Sequence, residues 1–308
     1  MTLSPRRSPK QVAVYGAYGH TGRFVVAELV RRGWSPILSG RDAERLQSLG
    51  KHVPGALVRA ASVGDADSLD AMLDGVQAVV NCAGPFLDTA SPVIEAALRA
   101  GVHYLDLTAE QESARQAFER YGEASRSAGV AILPAVAFYG GLADLLATAA
   151  AGEWEYVDEV EVGVALDRWH PTDGTRRTGK RNVFPRRVVT GGHLTDLPTP
   201  SPSRRWSFPE PFGDQDVVAT PLSEVIAIHS HLRAEEVHTF INRAPLRDLA
   251  DPATPPPTAT DEAGRSAQVF VVEVVVHREE EARRAMARGR DIYAITAPLA
   301  GEALDRVA

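Results

Sequence analysis

The stretch that decides the fold runs from Gln11 to Arg32 and reads QVAVYGAYGHTGRFVVAELVRR. Its first residues, Val12 to Tyr15, form a short apolar run typical of a buried parallel strand. Three glycines follow, at Gly16, Gly19 and Gly22, and apolar residues then recur at helical spacing (Phe24, Val25, Leu29 and Val30). The stretch therefore predicts a strand, a glycine turn and a helix, the arrangement that binds a dinucleotide.

Glycine suits such a turn because it has no Cβ, so the chain can turn tightly and a pyrophosphate can approach the backbone. The free N–H groups and the positive dipole end of the following helix then bind the phosphates. The spacing is Gly-x-x-Gly-x-x-Gly, and its place between strand and helix favours a nucleotide site over an ordinary β–α turn. We predict that the cofactor contacts Gly16, Ala17, Tyr18, Gly19, His20, Thr21 and Gly22.

A second strand, over residues 35–41, ends where an acidic residue would bind the ribose 2′-hydroxyl of NAD. Here Ser39, Gly40 and Arg41 occupy that place, and a small residue beside a cation suits a 2′-phosphate. The neighbouring Asp42 is typical of a helix N-cap. These residues predict NADP(H) as the cofactor, with a solvated turn arginine as the alternative for Arg41.

The composition indicates an ordinary soluble globular protein. The chain has 308 residues, 44% hydrophobic and 24% charged, and a net charge of −7, which argues against nucleic-acid binding. Its single cysteine, Cys82, excludes a disulfide framework and a multi-cysteine metal site. Met1 to Lys10 lacks the apolar core of a signal peptide. We expect a cytoplasmic protein with no membrane or nucleic-acid partner and no metal.

The rhythm of the chain changes near residue 153. Up to residue 152, strands alternate with helices, which predicts a doubly wound parallel sheet, the Rossmann arrangement of an α/β fold. Residues 153–285 read as a second, mostly antiparallel α+β domain for the substrate and for dimerisation, and residues 286–308 as a C-terminal helix. Within the second domain we expect a strand at Val225–His229, a helix or a charged hairpin at Arg278–Arg290, and loops at Asp196–Pro211 and Asp251–Gly264.

Four pieces of the chain carry a resemblance to a known family: YGAYGHTGR from Tyr15, LSGR from Leu38, NCAGPF from Asn81 and HYLDLT from His103. In these pieces the chain resembles the saccharopine dehydrogenase-like NADP-dependent oxidoreductases. The late GRDIYAIT, from Gly289, resembles the family's C-terminal helix, which packs back on the nucleotide domain.

The resemblance has implications for the site and the assembly. It implies that Ala83, Gly84, Pro85 and Phe86 lie against the cofactor and that the second domain forms the far wall of the crevice. It also implies a homodimer that forms through the sheet of the second domain. The family includes reductases of C=N bonds and relatives similar to trans-acting enoyl reductases.

Candidates for the chemistry lie at the ends of predicted strands. None of the seven tyrosines has a lysine four residues later, so the Tyr-x-x-x-Lys pair of short-chain dehydrogenases is absent. Tyr139 could donate a proton or stack on the nicotinamide, or it could simply pack under its turn. Asp106 and Glu110 could act as acids or orient the cofactor, with helix capping as the alternative for Glu110.

A basic segment after residue 170 offers a grip for an anionic or carrier-bound substrate through Arg176, Arg177 and Lys180, with a solvated helix face as the alternative. Three nearby histidines, His229, His231 and His238, lack a carboxylate or cysteine at a fixed offset, so we do not predict a metal site.

We therefore expect an NADPH-dependent reductase of a small-molecule substrate, with a C=N bond as the favoured acceptor on the resemblance alone. The alternatives are an enoyl (C=C) or carbonyl reductase of a polyketide- or lipid-type substrate, and a non-catalytic NADP-binding sensor or scaffold.

Overall fold

The computed structural model describes residues 10–308. The prediction that Met1 to Lys10 is not a signal peptide therefore lies, except for Lys10, outside the described residues. The strands are β1 (Gln11–Tyr15), β2 (Ser35–Gly40), β3 (Leu57–Ala60), β4 (Ala78–Asn81), β5 (His103–Asp106), β6 (Ile132–Leu133), β7 (Tyr156–Leu166), β8 (Arg187–Thr190), β9 (His193–Asp196), β10 (Ser203–Ser207), β11 (Asp214–Ala219), β12 (Arg233–Asn242), β13 (Val269–Arg278) and β14 (Glu281–Arg290). The helices are α1 (His20–Arg31), α2 (Ala43–Gly50), α3 (Ala66–Leu73), α4 (Phe86–Ala100), α5 (Gln111–Ala128), α6 (Ala143–Ala151), α7 (Asp173–Arg181), α8 (Ser223–His231), α9 (Arg243–Ala250) and α10 (Thr296–Val307).

The first sheet is parallel throughout and has the strand order β3-β2-β1-β4-β5-β6. β1 lies near its centre, and Val12, Ala13 and Val14 are fully buried because helices cover both faces of the sheet. The order reverses between β1 and β4, which is where ligands bind in such sheets. The predicted Rossmann fold is confirmed.

Local signals account for the helix starts. The Asp42 carboxylate accepts a hydrogen bond from the Arg45 N–H at 3.0 Å, as expected of an N-cap. α4 begins at Phe86, directly after Pro85, and Pro92 lies inside it. The loop after β4 is therefore short, and it places Phe86 in the first turn of a helix.

The second sheet has the order β10-β11-β12-β7-β13-β14, with β8 and β9 joined to it through β12. Only the pairing of β12 with β7 is parallel. The sheet is therefore mostly antiparallel, as predicted. Within residues 10–308, no helix has the length and apolar character that a bilayer crossing requires.

Three details of this second part differ from expectation or resolve an alternative. The apolar run Val225–His229 belongs to α8 instead of a strand, because Val225 and Ile228 pack into the core from one helix face. The Arg278–Arg290 segment forms the hairpin alternative, with β14 paired along the whole of β13. The predicted loop Asp196–Pro211 contains a short strand, β10, which is paired with β11.

The C-terminal segment returns to the first sheet, as the resemblance implies. Residues 286–290 still belong to β14, so only the later part of the segment predicted as a helix is helical. In α10, Leu304 is fully buried beside residues of α1, and the Asp305 carboxylate accepts a hydrogen bond from Trp34 Nε1 at 2.8 Å. The predicted limits 1–152, 153–285 and 286–308 otherwise stay predictions.

Because Leu304 is fully buried between α10 and α1, we expect Leu304→Ala to lower the free energy of unfolding by about 2–4 kcal/mol. The matched control is Leu145→Ala on α6, where the leucine is 59% exposed and the loss should be about 0.5 kcal/mol or less. Urea unfolding followed by circular dichroism measures both. Equal losses would contradict the packing of α10 described above.

Candidate functional site

The glycine turn has the geometry that a pyrophosphate site needs. Gly16 has a φ of +84°, and a Cβ there would lie 3.0 Å from the Cβ of Ala83. A Cβ on Gly22 would lie 2.3 Å from the carbonyl oxygen of Gly16, so α1 can pack this closely only with glycine. Gly19 is the N-cap of α1 and provides no side-chain cap, which leaves the first N–H groups of the helix to a ligand.

The end of β2 fits the ribose phosphate predicted there. Ser39 is fully buried and its hydroxyl has no partner, while Arg41 is exposed and forms no hydrogen bond or ion pair within residues 10–308. The ring of Tyr18 covers Gly40, where a Cβ would lie 2.8 Å from it. The guanidinium of Arg45 lies 4.5 Å from the centre of the same ring. An unsatisfied hydroxyl and two exposed cations suit a phosphate monoester.

The loop after β4 is held by buried polar groups. The Asn81 side chain accepts a hydrogen bond from the Ala83 N–H at 3.0 Å, and Thr89 donates one to the Ala83 carbonyl at 2.6 Å. The Glu110 carboxylate accepts bonds from the N–H groups of Phe86, at 2.6 Å, and Leu87, at 3.1 Å. Glu110 therefore caps α4, whereas the capping role expected from the sequence concerned the helix that follows it.

Asp106 is fully buried and holds three chain segments. Its carboxylate accepts hydrogen bonds from the N–H groups of Thr108 (3.0 Å) and Ala135 (2.8 Å), and from the hydroxyl of Tyr104 (2.9 Å). Burial raises the pKa of Asp106 to about 6 and that of Glu110 to about 7. Neither residue lines the crevice described next, so we assign both a structural role instead of the predicted acid role.

A crevice of about 160 Å³ opens at the carboxyl ends of the first sheet's strands, between the two sheets. The first part of the chain contributes mainly small and apolar residues and the phenol of Tyr139, the second part hydroxyl groups and an indole, and the C-terminal segment a second phenol. None of the described lining residues carries a charged side chain. The lining consists of Thr21, Cys82, Gly84, Phe86, Leu107, Ala109, Ala137, Phe138, Tyr139, Trp169, Thr172, Gly174, Thr175, Thr178, Ile292, Tyr293 and Thr296.

Tyr139 lies at the crevice as predicted. It belongs to an irregular turn, Phe138–Leu142, and its ring stacks on that of Trp169 at 5.2 Å. The Tyr139 hydroxyl has no hydrogen-bond partner within the described part of the chain, and burial raises its pKa well above the usual value for tyrosine. The phenol is therefore protonated at neutral pH, and its O–H is a buried donor without an acceptor among the described residues.

Tyr293 is a site residue that the sequence did not reveal. Its hydroxyl accepts hydrogen bonds from Trp169 Nε1 at 3.1 Å and from the Thr172 N–H at 3.3 Å, and lies 3.0 Å from the hydroxyl of Thr175. Its ring meets His20 edge-on at 5.1 Å. Tyr293 thus joins the C-terminal segment, the start of α1 and the start of α7. Only the GRDIYAIT resemblance pointed toward this segment.

The cations predicted to bind the substrate do not line the crevice. On α7 the threonines and Gly174 face it, whereas Arg177 and Lys180 are exposed. Arg176 donates hydrogen bonds to the backbone carbonyls of Asp251 and Thr254, at 3.2 and 2.8 Å. Helical periodicity explains the correction, because residues 174, 175 and 178 share one face and the cations occupy the others.

The histidines predicted not to bind metal have other surroundings. His231 on α8 pairs with Asp144 at 2.6 Å, and His238 on β12 pairs with Glu236 at 3.0 Å. Within residues 10–308, Glu159, Glu161 and His277 on the second sheet are the one group of ligand-type side chains that converges. The guanidinium of Arg204 forms an ion pair with Glu161, so a side chain of the protein already neutralises part of the negative charge of this group.

Comparison with known proteins agrees with the geometry of the first sheet. Residues 12–133 match the sequence model described as the saccharopine dehydrogenase NADP-binding domain. The match confirms the predicted resemblance for this part of the chain and NADP(H) as its cofactor. A solved structure, the apo saccharopine dehydrogenase (L-Glu forming) of Saccharomyces cerevisiae, superposes on this chain with a TM-score of 0.60 at 14% sequence identity. The superposition covers 97% of this chain and 91% of the yeast chain. That likeness concerns the fold.

Curated relatives match mainly the N-terminal part. A lipid droplet localized protein of Caenorhabditis elegans is 31% identical over 40% of this chain, and a saccharopine dehydrogenase-like oxidoreductase of Rattus norvegicus is 27% identical over 46%. A trans-acting enoyl reductase of Mycobacterium tuberculosis is 28% identical over 44%. The matched part spans 32%, 38% and 34% of these relatives' lengths. The names of the last two relatives agree with the predicted class, an oxidoreductase.

We expect Arg41→Met to weaken NADPH binding about 10- to 100-fold, because the variant loses charge-assisted hydrogen bonds to the 2′-phosphate. NADH affinity should not change, since NADH lacks that phosphate. Calorimetric titration measures both cofactors. Arg120→Met, which removes an exposed arginine of α5, is the control. An equal loss for both cofactors would contradict the assignment of Arg41.

The raised pKa of Glu110 predicts a pH dependence of stability. The folded protein holds a proton on Glu110 up to a pH of about 7, whereas the unfolded chain releases it near the usual value of 4.5. The group's contribution to stability is therefore full below that usual value and falls as the pH rises through 7. We expect wild type to lose about 1–3 kcal/mol of unfolding free energy relative to Glu110→Gln between about pH 5 and pH 8.

Urea unfolding across this pH range measures the difference, and Glu123→Gln, at an exposed position of α5, is the control. A wild type that gains stability over the Gln variant with rising pH would show that the carboxylate prefers its charged form in the folded protein.

Proposed function

We propose that this protein is an NADPH-dependent reductase that acts on a conjugated C=C bond in an uncharged, largely apolar part of its substrate. The observation that carries the proposal is the lining of the crevice, which joins the nucleotide turn to the second sheet and has no charged side chain among its described residues. The C=N acceptor favoured from the resemblance becomes the competing hypothesis.

The cofactor fits the residues around the glycine turn. The N–H groups at the start of α1 would bind the pyrophosphate, Arg41 and Ser39 the 2′-phosphate, and the loop of Ala83 to Phe86 would contact the nicotinamide end. NADPH, when bound, supplies the hydride equivalent. What the protein has to add is position, a dry cavity and a hydrogen-bond donor where charge develops.

The uncharged lining discriminates between acceptor bonds. A protonated imine carries a positive charge at the reacting bond, and an α-amino-acid substrate carries a carboxylate next to it. Burying such charges without a counter-charge costs several kcal/mol. A conjugated enone, enal or thioester is neutral, and its apolar part would contact Phe86, Phe138 and Trp169. This chain is similar to a trans-acting enoyl reductase, and the name of that protein indicates reduction of a C=C bond. The similarity therefore also supports a C=C acceptor.

Tyr139 is our candidate for the hydrogen-bond donor. When the β-carbon of a conjugated carbonyl gains hydride, negative charge develops on the carbonyl oxygen. The Tyr139 O–H is buried without a partner in the described part of the chain, so a small movement of the ring toward the crevice would let it donate to that oxygen without breaking another bond. Tyr293, by contrast, already accepts two hydrogen bonds, donates one to the His170 carbonyl and lies beside the Thr175 hydroxyl. We therefore assign Tyr293 a positioning role.

The aromatic wall would exclude water from the reacting bond. Phe138, Tyr139 and Trp169 are each at most 7% exposed, and the Tyr139 and Trp169 rings stack. Trp169 is fixed in turn by its hydrogen bond to Tyr293. Trp169 and the threonines of α7 are the second domain's share of the proposed active site, whereas Phe138 and Tyr139 come from the first.

The proposed reaction does not depend on the oligomeric state or the cellular location of the protein. A homodimer and a cytoplasmic location stay predictions, and the similar C. elegans protein is named for lipid droplets. A non-catalytic sensor or scaffold would use the same nucleotide turn, and it differs from the proposed reductase only in turnover.

We expect the wild type to oxidise NADPH with aliphatic 2-enals or enoyl thioesters and to leave a charged cyclic imine such as 1-pyrroline-5-carboxylate almost untouched. Tyr139→Phe should lower kcat about 10²- to 10³-fold, the effect typical of removing a donor to a developing oxyanion, with NADPH affinity unchanged. Absorbance at the nicotinamide band follows the reaction. Tyr156→Phe is the control, because Tyr156 is 38% exposed on β7.

Preferential reduction of the imine would assign the C=N acceptor and contradict the proposal. NADPH binding without turnover on either class would favour the sensor hypothesis. A Tyr139→Phe variant with wild-type kcat would leave the reductase class in place and remove Tyr139 from the mechanism.

A further inference from the structure

A second cavity, of about 110 Å³, lies on the other side of Tyr293 from the crevice. Tyr293 is the one described residue that lines both. The cavity is bounded by the segment before α7, by the start of β13 and by the irregular, proline-rich loop of residues 251–264, which forms its roof. Its lining consists of Arg168, His170, Pro257, Thr258, Thr260, Ser266, Ala267, Gln268 and Tyr293.

The segment after β7 divides its side chains between the two spaces. Trp169 lines the crevice, whereas its two neighbours, Arg168 and His170, line the second cavity. This alternation is what an extended segment produces when its two faces contact different surroundings. The segment is fixed at both sides, because the Tyr293 hydroxyl donates to the His170 carbonyl at 3.3 Å and Gln268 Nε2 donates to the Arg168 carbonyl at 2.6 Å.

The two spaces differ in charge. The described lining of the crevice has no charged side chain, whereas that of the second cavity has a guanidinium, an imidazole and hydroxyl groups but no carboxylate. Arg168 pairs with Asp167 through Nε at 3.0 Å and Nη2 at 2.9 Å, and Asp167 is shared with the Val269 N–H at 2.9 Å. Nη1 of Arg168 forms no hydrogen bond within residues 10–308, so it can donate to a ligand. The His170 ring forms no hydrogen bond within residues 10–308.

We propose that this second cavity is a subsite for an oxyanion, a carboxylate or a phosphate, at the end of the substrate that lies away from the reducible bond. The proposal rests on the proposed function, because it makes the substrate a molecule with two ends. The uncharged end with the double bond occupies the crevice, and the anionic end passes Tyr293 to reach Arg168 and His170. The cations that bind the anion are thus not those of α7 expected from the sequence.

The first test needs no turnover. Inorganic phosphate and butyrate are titrated in turn into the NADPH-bound protein, and the histidine ring signals are followed by ¹H–¹³C correlation spectra, with His170 assigned through His170→Asn. We expect saturable shifts of the His170 signal and none at His229, which lies on α8. The response should be lost in Arg168→Met, retained in Arg168→Lys and unchanged in Arg120→Met. Saturation with phosphate but not butyrate would identify a phosphate end, and the reverse a carboxylate end.

Failure of both anions to shift the His170 signal, or equal saturable shifts in wild type and Arg168→Met, would overturn the subsite. NADPH affinity is measured for each variant, and because Arg41 lies at the opposite end of the cofactor site, it should not change. The anion titration gives a result even when no reducible substrate is found. Failure of the subsite and failure of the proposed reductase activity are therefore distinguishable.

The second test uses two 2-enals of equal chain length, one ending in a methyl group and one in a carboxylate. For wild type we expect a KM about 10-fold lower for the carboxylate form, the size of one charge-assisted hydrogen bond, with a similar kcat. Arg168→Met should remove the preference and Arg120→Met should keep it. Reduction of both enals with equal KM by the wild type would exclude the cavity from substrate binding.

Discussion

The crevice depends on one buried carboxylate. Asp106 accepts hydrogen bonds from the backbone N–H groups of Thr108 and Ala135 and from the hydroxyl of Tyr104. Tyr104 also accepts a bond from Asn81, whose amide oxygen receives the Ala83 N–H. The chain ends of three neighbouring strands are thus fixed to one another beneath the crevice floor. Burying a carboxylate is unfavourable unless its oxygens are satisfied, and here they are. These hydrogen bonds fix the floor of the crevice. The residues that line the crevice above it do not take part in them, so their side chains can serve a ligand.

Much of the first sheet could be predicted because its signals are local. The strand, glycine turn and helix occupy one stretch of 22 residues, Gln11 to Arg32, and the Asp42 cap acts over three residues. The second part was harder. Val225–His229 has a strand-like composition, but packing of one face into the core makes it helical. The roles of Asp106 and Glu110 depend on backbone groups that strand pairing brings near them, and no spacing in the sequence encodes those contacts.

The site shows the same limit more sharply. Tyr139 could be identified because it follows a predicted strand, whereas Tyr293 is 121 residues from Thr172, which it contacts. The basic segment after residue 170 could be identified from the sequence, but the face of its helix that lines the crevice could not. The sequence therefore predicted that cations bind the substrate, whereas in the structure threonines line the crevice. Composition locates a functional segment. Which face of it meets the ligand is decided by packing from elsewhere in the chain.

The contribution of residues 292–296 to the crevice has a consequence for biosynthesis. Ile292, Tyr293 and Thr296 line it, and Tyr293 fixes the start of α7 and Trp169. The nucleotide turn can form once the first sheet has left the ribosome, but the crevice wall has to wait for this late segment. A nascent or truncated chain would therefore bind the dinucleotide loosely in an open, wet groove. Closure of the crevice would follow the synthesis of residues 292–296, so the chain acquires a site able to hold a hydride donor away from water only after this segment has been made and has folded.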